Sequence, residues 1–327
     1  MRRREFITLL GGTAAAWPFA AHAQQNVRRI GVLMMLLESS QEGEAWVAAF
    51  KDGLQKAGWS ESTNIRIDTR WGATEAASQR LAREIIAAQP DLILAQNTPT
   101  TFALLQQTRT IPIIFANVAD PVGSGLVASL QRPGGNVTGF INIEGSMSGK
   151  WLELLREMVP RVKRVALVFN PVTAPYFEYY MKPFKDAAQS FAVEAIAAPV
   201  HDSAELESVI TAQAQELNSG LIVMPDGFNI NHRREITSLT ARYHLPAVYP
   251  QRIYTEIGGL LSYGNDPLDN FRRAATYADR ILRGTEPSEL PVQVPIKFEL
   301  VINLKIAKTL GLDVPLRIQQ LANEVIE

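Results

Sequence analysis

Two short apolar runs, each led by a basic pair and stopped by turn residues, constrain this chain more than any other feature. Residues 163–171 read KRVALVFNP, a charged pair followed by an apolar run from Val165 to Phe169 and then Asn-Pro. A continuous apolar run of that length bounded by turn residues is the pattern of a strand buried on both faces. Arg28-Arg29 followed by the apolar stretch over 30–37 has the same design. Each run opens a series of alternating strand and helix patterns. The chain therefore reads as one α/β lobe written twice, and two lobes set edge to edge leave a cleft between them.

In the first lobe the spacing predicts a helix over 42–58, with Trp46, Phe50, Leu54 and Ala57 on one face and Gly58 as its stop. Alternation over 65–71 marks a strand at or near the sheet edge. A helix over 78–88 and buried strands over 91–96 and 112–117 follow. A short helix is expected at 125–130 before the Pro133-Gly134-Gly135-Asn136 turn, and a strand over 137–141 closes the lobe. After an amphipathic helix over 147–158, the second lobe alternates strands (164–169, 194–200, 220–224, 246–249, 259–263) with helices (176–191, 204–217, 231–243). A helix over 268–282, an extended segment over 290–295 and a helix over 298–310 complete it. Strand–helix alternation implies parallel sheets with right-handed crossovers.

Composition excludes several classes. Hydrophobic residues make up 46% and charged residues 20% of the 327, as in ordinary globular proteins. The formal net charge is −1, and no Lys/Arg block follows the first residues, so there is no nucleic-acid footprint. There is no cysteine, which removes disulfides, thiolate metal sites, a cysteine nucleophile and a lipidated N-terminal cysteine. The N-terminus is a leader: Arg2-Arg3-Arg4, then a stretch of apolar and small residues, then Ala21-His22-Ala23, with cleavage expected after Ala23. Arg3-Arg4-Glu5-Phe6 fits both a twin-arginine signal and a general secretory start. The product is expected to be exported.

No H-E-x-x-H, G-x-S-x-G or G-x-x-x-x-G-K-S/T motif occurs, and His201, His232 and His244 lack metal-ligand spacing. No catalytic residue, metal site or cofactor is expected, and an enzyme is disfavoured. Residues 123–128 match G-x-G-x-x-A, but the first glycine does not directly follow a strand and the expected helix is short, which argues against dinucleotide binding.

In open parallel sheets ligands bind beyond the carboxyl ends of the strands. There the third strand carries Gln96-Asn97-Thr98-Pro99-Thr100-Thr101, and hydroxyls at a helix N-terminus suit a carboxylate. Thr98, Thr100 and Thr101 are therefore candidate contacts, beside the plainer reading of helix capping. The fourth strand ends with Val118 and Asp120 as candidates, and second-lobe strand ends supply Asn170, Asp226 and Tyr263. A half-buried Asp226 wants a cationic partner, which a ligand ammonium would provide, or else it is Asp-Gly turn chemistry. Tyr176 and Tyr263 are candidate pocket walls, whereas Tyr249 reads as core.

The C-terminal third resembles the ABC-transporter substrate-binding proteins that include tryptophan- and tyrosine-binding members. The residues that carry it are GGLLSYG at 258–264, ADRILRG at 278–284, Leu290-Pro291-Val292, INLKIAK at 302–308 and EVIE at 324–327. Ala119-Asp120-Pro121-Val122 and Phe169-Asn170-Pro171 extend the likeness upstream. Asn323 departs from the family's common Asp, at the tail and away from the site. The resemblance implies an α/β fold of two flavodoxin-like (Rossmann-like) parallel-sheet lobes joined by a three-crossing hinge, the type I periplasmic-binding fold. It implies crossings near 140–145, 264–267 and 290–294. One lobe would comprise 27–140 with 266–290, the other 141–265 with 291–327.

By the same resemblance Thr98, Thr100 and Thr101 would hold a ligand carboxylate and Asp226 its ammonium. Asn170 and Tyr263 would close over it from the second lobe and hinge. The implied function is capture of a small solute in the periplasm for a membrane permease with its ATPase. The expected ligand is an amino acid, aromatic or branched, or a small aromatic acid. A monomer is expected, with no nucleic-acid partner. The alternative is a periplasmic sensor that hands its closed state to a receptor kinase. A transcription regulator of similar fold does not fit, because the N-terminus is a leader and not a helix-turn-helix.

Overall fold

The computed structural model describes residues 27–327, so the expected leader and its expected cleavage point lie outside the described residues. The first sheet contains β1 (Arg28–Met34), β2 (Ile65–Trp71), β3 (Leu92–Asn97), β4 (Ile113–Val118) and β5 (Val137–Ile141). Its order is β2-β1-β3-β4-β5, and every pair is parallel. The second sheet repeats that winding with β6 (Arg164–Phe169), β7 (Glu194–Pro199), β8 (Ser219–Val223), β9 (Ala247–Tyr249) and β10 (Leu261–Gly264), in the order β7-β6-β8-β9-β10. It is then extended by β11 (Glu299–Asn303), antiparallel to β10, and β12 (Glu324–Ile326), parallel to β11. This is the flavodoxin-like order, in which the chain reverses direction of winding beside the first strand and leaves a crevice there.

The apolar runs behave as their composition requires. Val165 to Phe169 are all buried, and Ile30 is paired in register with Leu92 at the centre of the first sheet. The alternating segment is β2, an edge strand with its odd residues turned inward. The helix Gln41–Lys56 starts at Ser40, whose Oγ accepts from the Gly43 amide, and buries Trp46, Val47, Phe50 and Leu54 at helical spacing.

After β10 the chain leaves the second sheet, and the helix Pro267–Leu282 packs against the first. Phe271 stacks on Trp46 with ring centroids 5.6 Å apart, and Tyr277 meets Phe140 at 4.9 Å. The Thr138 hydroxyl donates to the Leu290 carbonyl, and Gln293 bridges to Phe140 beside β5, before the chain goes back to form β11.

Three expected helices differ. Residues 298–310 divide into strand β11 and a short helix, Leu304–Thr309, because Leu300, Val301 and Ile302 are buried beside β10 and Asn303 caps the short helix, accepting from the Ile306 amide. No helix forms at 125–130: Asp120 accepts from the Gly123 amide in a turn, and both Asp120 and Gly125 have positive φ. The helix expected over 231–243 is two, Gly227–Asn231 and Arg233–Arg242, broken at His232. Among the described residues no helix is long and apolar enough to cross a membrane.

Candidate functional site

The carboxyl ends of the two sheets face one another across a narrow cavity. From the first sheet's side Trp46, Gln96, Asn97, Asn117 and Asn142 line it; from the second, Tyr176, Asp226, Ile230, Gln251 and Tyr254. Gln96–Asn97 and Pro225–Asp226 lie at the two points where the winding reverses, after β3 and after β8. The halves are in contact: a Cβ built on Gly227 would lie 3.8 Å from Asn97 Nδ2 and 3.9 Å from Met35 Sδ. Arg233 also pairs with Glu42 across the gap. The cleft is shut.

On the first side, Gln96 Oε1 accepts from the Met35 amide and ties the loops after β1 and β3 together. Asn97 caps the helix Thr98–Leu105 reciprocally: its Oδ1 accepts from the Thr100 amide at 3.1 Å, and Thr100 Oγ1 accepts from the Asn97 amide at 2.9 Å. Asn117 Oδ1 accepts from Asn270 Nδ2 at 2.9 Å, which anchors the helix Pro267–Leu282 to β4.

On the second side, Asp226 is 7% exposed and caps the helix Gly227–Asn231. Burial pushes its carboxyl up to about 7, against the pull of hydrogen bonds from the Asn229 and Asn170 amides and the Thr173 hydroxyl. Among the described residues it has no ion-pair partner, and no Lys, Arg or His lines the cavity. Tyr176 donates its hydroxyl to the Pro225 carbonyl at 3.1 Å; burial, and then the nearby Asp226 charge, raise its phenol above the usual range. Tyr254 stacks on the buried Tyr249 at 5.1 Å. The cavity thus combines three aromatic faces, several amides and a single carboxylate.

The model of the ABC transporter substrate binding protein family matches residues 29–326. The chain belongs to that family. It is 26% identical over 267 residues to the tyrosine-binding protein of Clostridioides difficile strain R20291, covering 80% of this chain and 75% of that protein. A conserved domain protein from Vibrio cholerae O1 biovar El Tor superposes with a TM-score of 0.85 at 28% identity, over 92% of this chain and 100% of that one. A domain from Streptococcus pneumoniae in complex with L-Trp gives 0.81 at 24% identity, over 91% and 99%. Substrate-binding proteins of this family are generally extracytoplasmic, bind small ligands and work with a permease; they are solute binders rather than enzymes. The receptor-kinase reading gains no support from these matches.

The cavity brings together two of the residues expected from sequence, Tyr176 and Asp226. The others stand behind it. Thr98 Oγ1 accepts from the Ala119 amide, Thr100 Oγ1 completes the capping box, and Thr101 Oγ1 donates to the Asn97 carbonyl. Their hydroxyls therefore bond to backbone, and the amides of Gln96 and Asn97 reach the cavity in their place. Val118 is buried in β4 with its carbonyl accepting from the Asn142 amide. Asp120 shapes the Gly123 turn. Asn170 Oδ1 accepts from the Val172 and Thr173 amides, while its own amide supports Asp226. Tyr263 accepts from Trp151 Nε1 at its carbonyl and packs its ring near Phe298.

Trp46, Asn117, Asn142, Gln251 and Tyr254 were not expected from sequence as ligand contacts. Asn117, Asn142 and Gln251 follow or end strands, so the carboxyl-end rule applied to every strand would have found them. Trp46 gave no separate signal: it sits on the buried face of its helix, and one edge of that face borders the cavity.

Proposed function

We propose that this chain captures an amino acid with an aromatic side chain and delivers it to a membrane permease for uptake. The observation that carries this reading is the buried Asp226 carboxylate in the wall of the cavity between the lobes, with no cationic side chain lining it. A buried carboxylate is costly without a partner, and a ligand ammonium supplies one. A small aromatic acid lacking that group would bring a second negative charge into a cavity with no basic residue. Trp46, Tyr176 and Tyr254 give the side chain aromatic faces. The ligand carboxylate meets the Asn97 amide and the N-terminus of the helix Thr98–Leu105, a favourable place for an anion. In this arrangement Thr98, Thr100, Thr101, Asn170 and Asp120 build the loops, and Asp226 and Tyr176 touch the ligand. The tyrosine-binding relative supports a ligand of this class.

Closure follows from the same charge. Shutting the cleft strips water from Asp226, which opposes closure unless an ammonium enters with it; the ligand therefore favours the shut form by its differential affinity. Export by the N-terminal leader, cleavage after Ala23, a periplasmic location and a monomeric state complete the proposal.

Calorimetry with tryptophan, tyrosine, phenylalanine, leucine and the deaminated acid indole-3-propionate tests it. Tight binding of an aromatic amino acid with weak binding of the deaminated acid is expected. Preference for the deaminated acid, or no binding of any amino acid, overturns it.

A further inference from the structure

Asp226 supplies charge but has little hydrogen-bonding capacity left. Its Oδ1 accepts from the Asn229 amide at 2.7 Å and Thr173 Oγ1 at 3.3 Å, and its Oδ2 from Asn229 Nδ2 at 3.0 Å and the Asn170 amide at 3.1 Å. A carboxylate offers about four acceptor positions, and an ammonium brings about three donors. The donors of a bound ammonium therefore need an acceptor elsewhere in the cavity.

On the first sheet's wall the other side-chain amide acceptors are already engaged. Gln96 Oε1 holds the Met35 amide, Asn97 Oδ1 holds Thr100, and Asn117 Oδ1 holds Asn270. Asn142 differs. It lines the cavity directly after β5, is 8% exposed, and its Oδ1 is buried with no hydrogen-bond partner among the described residues. Buried polar atoms are rarely left unpaired, and an orphan at a ligand cavity points to a partner that arrives with the ligand. The Asn142 backbone is fixed, its amide donating to the Val118 carbonyl at 2.9 Å, so the side chain is presented from a held strand end.

We infer that Asn142 Oδ1 is the hydrogen-bond acceptor for the ligand's ammonium group, working beside Asp226, which neutralises the charge. This rests on the amino-acid reading given above. It makes Asn142 the residue that distinguishes an amine from an apolar or hydroxyl substituent at that point of the ligand.

The test compares wild type, Asn142→Leu and Asn142→Asp by calorimetry with tryptophan, phenylalanine and, by competition, 3-phenylpropionate, with melting curves to check folding. Asn142→Leu should weaken both amino acids by about tenfold or more, since the ammonium loses an acceptor, and leave phenylpropionate within about twofold. Asn142→Asp restores an acceptor and should hold or tighten amino-acid binding. Equal losses for phenylalanine and phenylpropionate would show a packing role and overturn the inference. So would a loss confined to tryptophan, which would place the ring N–H at Asn142. Unchanged amino-acid affinity in Asn142→Leu overturns this assignment alone, whereas a wild type that binds no amino acid overturns the ligand class and this assignment with it. If Asn142→Leu does not fold, Asn142→Asp decides: weaker binding of both amino acids overturns the inference.

Discussion

Arg233, beyond β8, donates to Glu42, beyond β1, and the two side chains are only 14% and 17% exposed. Arg233 Nη1 also donates to the Ile230 carbonyl at 2.7 Å, behind a residue that lines the cavity, and Glu42 accepts from Ser40 Oγ at 3.0 Å. Burial pushes the Glu42 carboxyl up, but its backbone hydrogen bond and the Arg233 guanidinium outweigh that and hold it below the usual range. The pair joins the halves of the shut cleft and must break when they part.

Arg233→Ala should therefore speed ligand release more than it slows capture. A partly shielded pair contributes on the order of 1 kcal/mol, or roughly fivefold in Kd, and such changes fall mainly on the off-rate. Stopped-flow fluorescence, with Trp46 as the natural reporter, measures both rates. An unchanged off-rate would show that the pair does not hold the closed form.

Asp226 is tested by two substitutions that separate charge from scaffolding. Asp226→Ala should weaken an aromatic amino acid by at least about 2 kcal/mol, because the bound ammonium is left without its counter-charge. It should also lower the melting temperature, since the Asn229 and Asn170 amides lose their acceptor. Asp226→Asn keeps one carbonyl oxygen to cap the helix and should lose most of the affinity with less effect on stability. Calorimetry showing unchanged affinity in both would remove Asp226 from the ligand.

Protonation gives a further signature. The folded Asp226 carboxyl is raised to about 7 by burial, above its unfolded value, so the ligand-free fold binds this proton more tightly than the unfolded chain does. The contribution of this group to stability therefore grows as pH falls from about 7 toward about 4, by about 1.4 kcal/mol per pH unit at most. Ligand binding runs the other way. An ammonium binds the ionised carboxylate, so the proton must leave first, and affinity should fall by up to about tenfold per unit below pH 7. Melting curves without ligand and calorimetry from pH 8 to pH 5.5 should slope in opposite directions, and Asp226→Asn should flatten both.

The doubled winding was legible because both-face burial demands unbroken apolar runs, as at Val165 to Phe169, and such runs have few other structural explanations. The place of the cavity was legible for the same reason, since the carboxyl ends of the strands follow from the winding. The choice among polar residues there was not. Asn97, Thr98, Thr100 and Thr101 are equivalent on a sequence line, but helix geometry turns the threonine hydroxyls back to Asn97 and Ala119 and leaves the Asn97 and Gln96 amides at the cavity. Asp226 was legible because a carboxylate directly after the apolar β8 run has few places to go. Residues 298–303 misled because an apolar run this short fits either period, and only its pairing with β10 decides it as a strand.

Gly264 ends β10, where the chain leaves the second sheet for the helix Pro267–Leu282. A Cβ built there would run into the Pro250 carbonyl oxygen and lie 3.2 Å from Ile143 Cδ1. The first is backbone and has no rotamer to yield, so an added methyl must displace the loop after β9. That loop carries Pro250 and Gln251 in the cavity wall and leads to Tyr254. Gly264→Ala should therefore destabilise the fold by about 1–3 kcal/mol through overpacking and weaken ligand binding as the wall shifts. Gly135→Ala is the control: a Cβ there meets nothing within 4 Å, so stability should stay within about 0.5 kcal/mol. Denaturant titrations of the two variants, with calorimetry on each, measure the difference. A Gly264→Ala protein as stable and as tight as wild type would show that the loop after β9 gives way freely, and that the cavity wall it carries is not held by this contact.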